Sequence, residues 1–562
     1  MRTVLLQMSV IAALAGTADH AGATTADLVF EHGNVHTANP EQSHATGIAI
    51  RAGRIALVGS DSDVEALIGA GTQVVDLHGA TVLPGLTDSH YHLALVGARE
   101  AGFDLAGTTG IEDLRTRLGA RVAVAKPGDW ITGSGWIEGA WKPAAFPTRF
   151  DLDPVSPDNP VFLRRGDLHA GVANSAALRI VGIDRTTPDP PGGVIMRDEQ
   201  TGEPTGMLLE RAQALVMRHI PKPTEADLRE QLVLGTQRSI AHCLCQIHNP
   251  GGSYAIIGRL RQLYTDGLIK LRVYQAVSGP GPDADRLLQE GPLLRQFDDR
   301  FTVRAIKLLI DGSLGSRTAA LLEPYLDAPG SGLLRDDLDR IQAMLATALR
   351  QGIQVWTHAI GDRANRVVLD LYEQAFRAVP PAERKVQEPR WRIEHAQILD
   401  PADLPRFAVL GVIPSMQPSH AITDLHWAES RLGLARLDRT YKWRSLIASG
   451  TIVPGGSDAP VESGDPMVEF YAAVARKGLD GFSGPGWHPE EAVTREQALK
   501  MLTIWPAEAA FEEDLRGSIE PGKLADLSIL SADIMRIPEV EIPKTRCLMT
   551  IIGGEIVFRA AE

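Results

Sequence analysis

Cysteine is scarce in this chain: 562 residues contain three. Three thiols cannot build the disulfide framework that small secreted domains need. A chain with 44% hydrophobic residues has no need of one, because a large core can hold it. Cys243 and Cys245 lie two apart in a segment that reads as a strand, so they are expected to share a face as small buried hydrophobes. A C-x-C metal site would want further cysteines nearby in sequence, and there are none. Positive charge is also short. The 56 Lys and Arg against 70 Asp and Glu leave a formal charge of −14, which argues against nucleic acid as a partner, because phosphate binding needs a basic face. Long apolar runs are missing as well: residues 4–15, behind Arg2, fall short of the ~20 residues of a membrane span. Together with the small residues Ala21-Gly-Ala23 they read as a signal peptide over residues 1–23, which predicts a periplasmic or secreted protein. No internal repeat, heptad or low-complexity tract is found, so solenoids and coiled coils are excluded.

What the chain does contain is a series of short apolar stretches, each ending near a chemically useful side chain. Leu83-Pro-Gly-Leu-Thr-Asp-Ser-His-Tyr-His92 ends in two histidines one residue apart. On an extended strand such residues point the same way, and neutral imidazole is the commonest protein metal ligand. Further stretches end near Lys307, His358, His395 and Asp458. Short strands buried on both faces are the pattern of a parallel barrel, whose active site lies at the C-terminal ends of the strands. His90, His92, Lys307, His358, His395 and Asp458 would converge there, as a nitrogen and oxygen site for one or two divalent metals.

The strings KLLIDGSLGSRTAAL (307–321), WTHAIGDRA (356–364), RIEHAQ (392–397), SMQPSHA (415–421) and GSDAPVE (456–462) carry a resemblance. With them, from about Asp27 to about Ala560, the chain resembles the amidohydrolase superfamily, in the metal-dependent hydrolase branch that includes N-substituted formamide deformylase (amidohydrolase family 3). The resemblance implies a metal site at the barrel mouth. In it, His90 and His92 match the first-strand ligands and Lys307 the lysine that can be carboxylated to bridge two metals. His358 and His395 match the fifth- and sixth-strand ligands, and Asp458 the eighth-strand acid. It also sets His169 and His420 near the pocket.

The expected architecture is α/β: a (β/α)8 TIM-like barrel, a composite β-sandwich from the two chain ends, and an insertion domain over the barrel mouth. The sandwich would take residues 24–81 and 515–562, where alternating runs such as Gly47–Val58 and Met549–Phe558 are broken by glycines. The barrel would take residues 82–514, with strands near 83–88, 242–248, 270–277, 303–310, 353–358, 391–396, 412–418 and 451–457. Helical patterns such as Leu338–Arg350 lie between them. The span from about 95 to 222 is too long for a βα connection and is rich in Trp and Pro, so it reads as the insertion. Its tryptophans (Trp130, Trp136, Trp141) read as core before they read as a pocket wall.

Each site residue has a plainer use. Asp458 in Ser-Asp-Ala-Pro is good helix-start chemistry, Lys307 could sit on an edge strand, and a single buried histidine is more often core than ligand. Their repeated placement at strand ends favours metal chemistry. Asp362 and Glu394 are expected to orient His358 and His395. Substrate contacts are expected from His169, Arg317 and His420, with His248 and His426 as further candidates. The reading is hydrolysis of a non-peptide C–N bond (an amide, N-substituted formamide or cyclic amide) in a small molecule. The cofactor would be one or two divalent ions, zinc first, and Asp458 the general base and acid. An ester or lactone hydrolase with the same site, or a binding or regulatory protein on this scaffold, are the alternatives. No membrane span is expected, and homo-oligomerisation is left open.

Overall fold

The computed structural model describes residues 25–335, 338–484 and 487–561; the signal peptide expected at 1–23 lies outside them. Seven parallel strands follow one another in space in chain order: Leu86–Asp88, Leu244–Asn249, Arg272–Ser278, Phe301–Leu309, Gln354–Ala359, Arg392–His395 and Ile413–Ser415. They are buried almost throughout, as continuous apolar runs between helices must be. The eighth stretch, expected at 451–457, forms no ladder. Isolated parallel bridges Met416–Gly455 and Tyr91–Ala459 instead set it between the last strand and the first, an arrangement consistent with a TIM-like barrel. Pro454 has no amide to donate and Gly455 and Gly456 bring no side chains, which accounts for the broken strand. A Cβ on Gly456 would stand 2.6 Å from both Asp88 Oδ1 and His90 N, so only glycine lets the segment come this close.

Helices pack outside the strands. In Leu338–Gln351 the buried residues Ile341, Met344, Leu345, Ala348 and Leu349 make one apolar stripe of helical period. No helix among the described residues is long and apolar enough to cross a membrane.

The expected strand at 83–88 proves to be two: Thr81–Pro84 belongs to another sheet, and the chain passes into the barrel at Gly85. That other sheet runs Glu555–Arg559, Cys547–Ile552, Leu527–Leu530, Thr81–Pro84, Asn34–His36, His44–Ala45, so it takes strands from both chain ends. A four-stranded sheet of Arg54–Gly59, Gly47–Arg51, Leu28–Glu31 and Gln73–Asp76 shares an apolar cluster with it, including Phe30, Val35, Ile48, Val82, Ile529 and Ile551. Residues 103–210 contain a separate six-stranded sheet with clusters of its own. Trp136 and Trp141 are buried in those clusters.

The cysteines require a correction. Cys243 is joined by a disulfide to Cys547, 304 residues away, and of the three only Cys245 is a free, buried thiol. Cys243, just before the strand Leu244–Asn249, still shares a face with Cys245: its sulfur lies against Ile529 O and Met549 O, and that of Cys245 against Leu527 O and Ile551 O of the same terminal sheet. The bond ties the barrel to the terminal sheet. A buried ion pair does the same: Arg272 of the barrel meets Asp526 at 2.7 and 2.9 Å. Asp526→Ala would leave the Arg272 guanidinium buried without its counter-charge and is expected to cost about 3–5 kcal/mol of stability. Urea unfolding followed by circular dichroism measures this; a loss below about 1 kcal/mol would show the pair to be dispensable.

Candidate metal centre

The site starts at the end of the first barrel strand. The Asp88 carboxylate accepts from His90 N at 3.0 Å, Ser457 N at 3.0 Å and Ser457 Oγ at 2.5 Å, which locks the eighth segment against the first strand. His90 and His92 lie beyond the strand, in a turn and at the head of the helix Leu93–Ala101, so strand alternation is not what aligns them. Their Nε2 atoms nevertheless face the same oxygen, Asp458 Oδ1, at 3.4 and 3.1 Å. Asp458 and His395 have φ values of 58° and 75°, a region that residues other than glycine seldom enter.

Buried polar partners fix the rings. Glu394 Oε2 lies 2.5 Å from His90 Nδ1, and Arg392 Nε lies 2.7 Å from Glu394 Oε1. With Nδ1–H donating to that carboxylate, His90 Nε2 keeps its lone pair for the pocket. Gln417 Oε1 does the same for His395 Nδ1 at 2.7 Å. This corrects the expected orienting pairs. Glu394 serves His90, because adjacent strand residues point to opposite sides and it cannot reach its neighbour His395. Asp362 accepts from Leu322 N and pairs with Arg439. The carboxylate beside His358 is Asp311, at 3.5 Å, within a quoted string but unmarked by spacing.

Burial above all holds the pKa values of His90, His358 and His395 well below the usual imidazole range, leaving them neutral as metal ligands must be. Burial pushes the Asp458 carboxyl up, but the closeness of His90 and His92 outweighs it and holds Asp458 below the usual carboxylate range. Lys307, on the strand Phe301–Leu309, is buried with Nζ 3.1 Å from His90 Nε2. Burial brings its ammonium down to about 8 against the opposing pull of Glu394 and Asp458.

One donor atom from each of His90, His92 and Asp458 lies within 4.8 Å of the others. Asp458 Oδ1 is buried without a hydrogen-bond partner. Neutral imidazoles around an ionised, unsatisfied carboxylate oxygen fit a divalent metal. His358 is near, its ring centroid 4.5 Å from that of His395, but its Nε2 faces Gly312 O at 3.2 Å.

A pocket opens beside these residues, lined by His169, His358, His395, His420 and Asp458 among others. The 103–210 region contributes Ile137, Arg165, Asp167 and His169 to it. His169 Nδ1 is held by Glu210 Oε1 at 2.8 Å and its ring lies 5.4 Å from that of His358. Arg317 is not brought here: it pairs with Asp327 at 2.8 Å and is absent from the lining. His248 lies inside the barrel against Arg392, and His426 stacks on Phe482. Gln417, Arg165, Asp167 and Trp427 were not singled out by sequence; only the string SMQPSHA, which contains Gln417, could have hinted at one of them.

Residues 73–558 match the family described as "Amidohydrolase family". Protein LONG AFTER FAR-RED 3 of Arabidopsis thaliana is 34% identical over 95% of this chain and 92% of its own length. N-substituted formamide deformylase of Arthrobacter pascens is 28% identical over 95% of this chain and 98% of its own. The crystal structure of an uncharacterized metal-dependent hydrolase from Pyrococcus horikoshii superposes with a TM-score of 0.73 at 28% identity, over 91% of this chain and 99% of that one.

Gently purified protein is expected to carry at least about one equivalent of a divalent transition metal, and His90→Ala to lose it while keeping its fold. Elemental analysis with circular dichroism checks both. Less than roughly a tenth of an equivalent in the parent protein would rule the centre out.

Proposed function

The chain belongs to the amidohydrolase family, and from that premise we propose that it hydrolyses a non-peptide C–N bond of a small molecule, an N-substituted formamide, amide or cyclic amide, at the Asp458 pocket. The observation that carries the reading is the buried Asp458 carboxylate, aimed at His90 and His92 on one side and open to the pocket on the other. The relative whose name specifies N-substituted formamides, similar over nearly its whole length, supports the substrate class.

His90, His92, His395 and Asp458 would hold the metal, zinc being the ion these nitrogen and oxygen donors suit, with Lys307 and His358 as further donors. When bound, a divalent ion would supply Lewis-acid polarisation of a carbonyl and a water whose pKa is lowered towards about 7. Asp458 takes the proton of the attacking water and delivers it to the leaving nitrogen. Glu394 and Gln417 keep the two imidazoles turned with their free nitrogens inward throughout. Lys307, its pKa brought by burial to about 8, has a free-amine fraction that could add to CO2 with loss of a proton, and the resulting carbamate would supply a further carboxylate donor. The pocket residues of the 103–210 region, His169 foremost, read the substrate, while the barrel side supplies the chemistry.

Asp458→Asn keeps size and polarity but cannot accept a proton, so kcat is expected to fall by about 10²–10⁴ with the fold retained. A panel of formamides, N-acyl amines, lactams and esters assayed on parent, Asp458→Asn and His169→Ala tests the whole reading. Near-parental rates for Asp458→Asn would transfer the base role to another group, and turnover of esters alone would replace the C–N assignment. His169→Ala should reorder substrate preference; a uniform slowing of every substrate would deny it a selecting role.

Export belongs to the same proposal. An oxidising compartment is where the Cys243–Cys547 bond persists, and residues 1–23 have the make-up of a leader. N-terminal sequencing of protein recovered outside the cytosol should begin near residue 24, and a start at Met1 would count against it.

A further inference from the structure

We propose that the small molecule cleaved at this pocket carries a primary ammonium group, received by Asp424 and Glu462. The inference rests on the reading of the pocket as a site of C–N hydrolysis and adds the charge of the substrate, which that reading leaves open.

Two carboxylates on the pocket wall lack a counter-charge. Asp424 and Glu462 both line the pocket, and neither is paired with a Lys, Arg or His among the described residues. Asp424 accepts from Gln397 Nε2 at 2.8 Å and from the Tyr441 hydroxyl, and Glu462 accepts from Thr423 Oγ1 at 2.7 Å, so their partners are neutral. Arg165, on the same wall, is already taken: it holds Asp167 at 2.6 Å and Glu138 at 2.8 Å. Burial pushes the Asp424 carboxyl up to about 7 and that of Glu462 up to about 8, as happens to acids removed from water without a cation beside them. A carboxylate kept in that state is costly until a positive group meets it.

A third acceptor stands on the same wall. His420, Thr423, Asp424 and Trp427 follow at i, i+3, i+4 and i+7, so the helix Pro418–Asp424 and the turn after it present one face to the pocket. His420 Nε2 is buried there without a hydrogen-bond partner. As a neutral imidazole with its proton on Nδ1, His420 accepts an N–H at that nitrogen. An ammonium has three N–H donors and no acceptor, which matches two carboxylates and one ring nitrogen; an anion or a bare carbonyl does not. The face is also held in place. The buried Glu469 accepts from Ser419 N at 3.0 Å, and Thr423 links the helix to Glu462, so the acceptors are set before a ligand arrives.

Calorimetric titration of the purified full-length protein with benzylammonium and with benzyl alcohol, near neutral pH, tests this without relying on turnover. The parent is expected to bind the ammonium at least about tenfold more tightly than the alcohol of similar size. Asp424→Asn combined with Glu462→Gln keeps the hydrogen bonds and removes the charges, so it should abolish that preference. A parent that binds both alike, as two protonated carboxyls would, overturns the inference. So does a parent that binds no benzylammonium, or a preference that survives in the double variant while circular dichroism shows the fold intact. Hydrolysis is read separately, on N-(4-aminobutyl)formamide against N-pentylformamide. The amine-bearing compound should have the lower KM, by about tenfold, and the double variant should lose that difference. Turnover of both with equal KM leaves the hydrolase reading standing and overturns this one. Ammonium binding without turnover of any amide or formamide does the reverse: it sinks the C–N reading and upholds the cation site. Should the double variant unfold, crystals of the parent grown with benzylammonium decide. An ammonium nitrogen about 2.7–3.2 Å from an oxygen of Asp424 or Glu462 supports the proposal, and one bound elsewhere overturns it.

Discussion

The clamp between Asp88 and Ser457 is the contact on which the mouth of the barrel depends. The eighth segment has no ladder of its own, and its place is set by one buried carboxylate that accepts from Ser457 N, Ser457 Oγ and His90 N. Burial pushes the Asp88 carboxyl up to about 7 in spite of those donors, so the group is itself under electrostatic strain. Because Asp458 follows Ser457 and His90 follows Ser89, one clamp fixes the distance between a carboxylate and an imidazole that are 368 residues apart in the numbering of the chain. Gly456 makes the approach sterically allowed, and the left-handed backbone of Asp458 turns its side chain into the pocket.

Around that clamp the interior of the barrel works as an orienting shell. Arg392 reaches Glu394, Ser89 O and Ser415 Oγ, so one guanidinium ties together the first, sixth and seventh strand ends. Glu394 in turn sets the proton of His90. Such a chain of buried charges is stable only when each member is paired, and here the pairing also decides which ring nitrogen faces the pocket. The neutral state of the buried imidazoles follows from the same low-polarity surroundings that make the network necessary.

The remaining sheets have distinct physical relations to this centre. The sheets of the chain ends are bound to the barrel by a disulfide and by the Arg272–Asp526 pair, both on the far side from the pocket chemistry named above. The 103–210 region has its own apolar cores and yet places Arg165, Asp167 and His169 on the pocket wall. Arg165 is held between Glu138 and Asp167, at 2.8 and 2.6 Å, so this wall is as firmly built as the barrel side facing it.

The amino-acid sequence by itself determined the run of buried parallel strands, since a strand covered on both faces must be apolar along its length and little else reads that way. It also determined the family, through strings whose residues are contiguous. What it could not determine is which side chains meet across the barrel. His90 and His92 do face one oxygen, as the i, i+2 rule implies, although the regular strand stops at Asp88, whereas the partner of Glu394 lies at the end of another strand. Cys243 finds Cys547 across 304 residues, and Arg317 turns away to Asp327. Only the tertiary structure decided these pairings. Local pattern specifies how a residue stands on its own element, whereas partner and distance depend on barrel closure, a long-range constraint that no short window of sequence records.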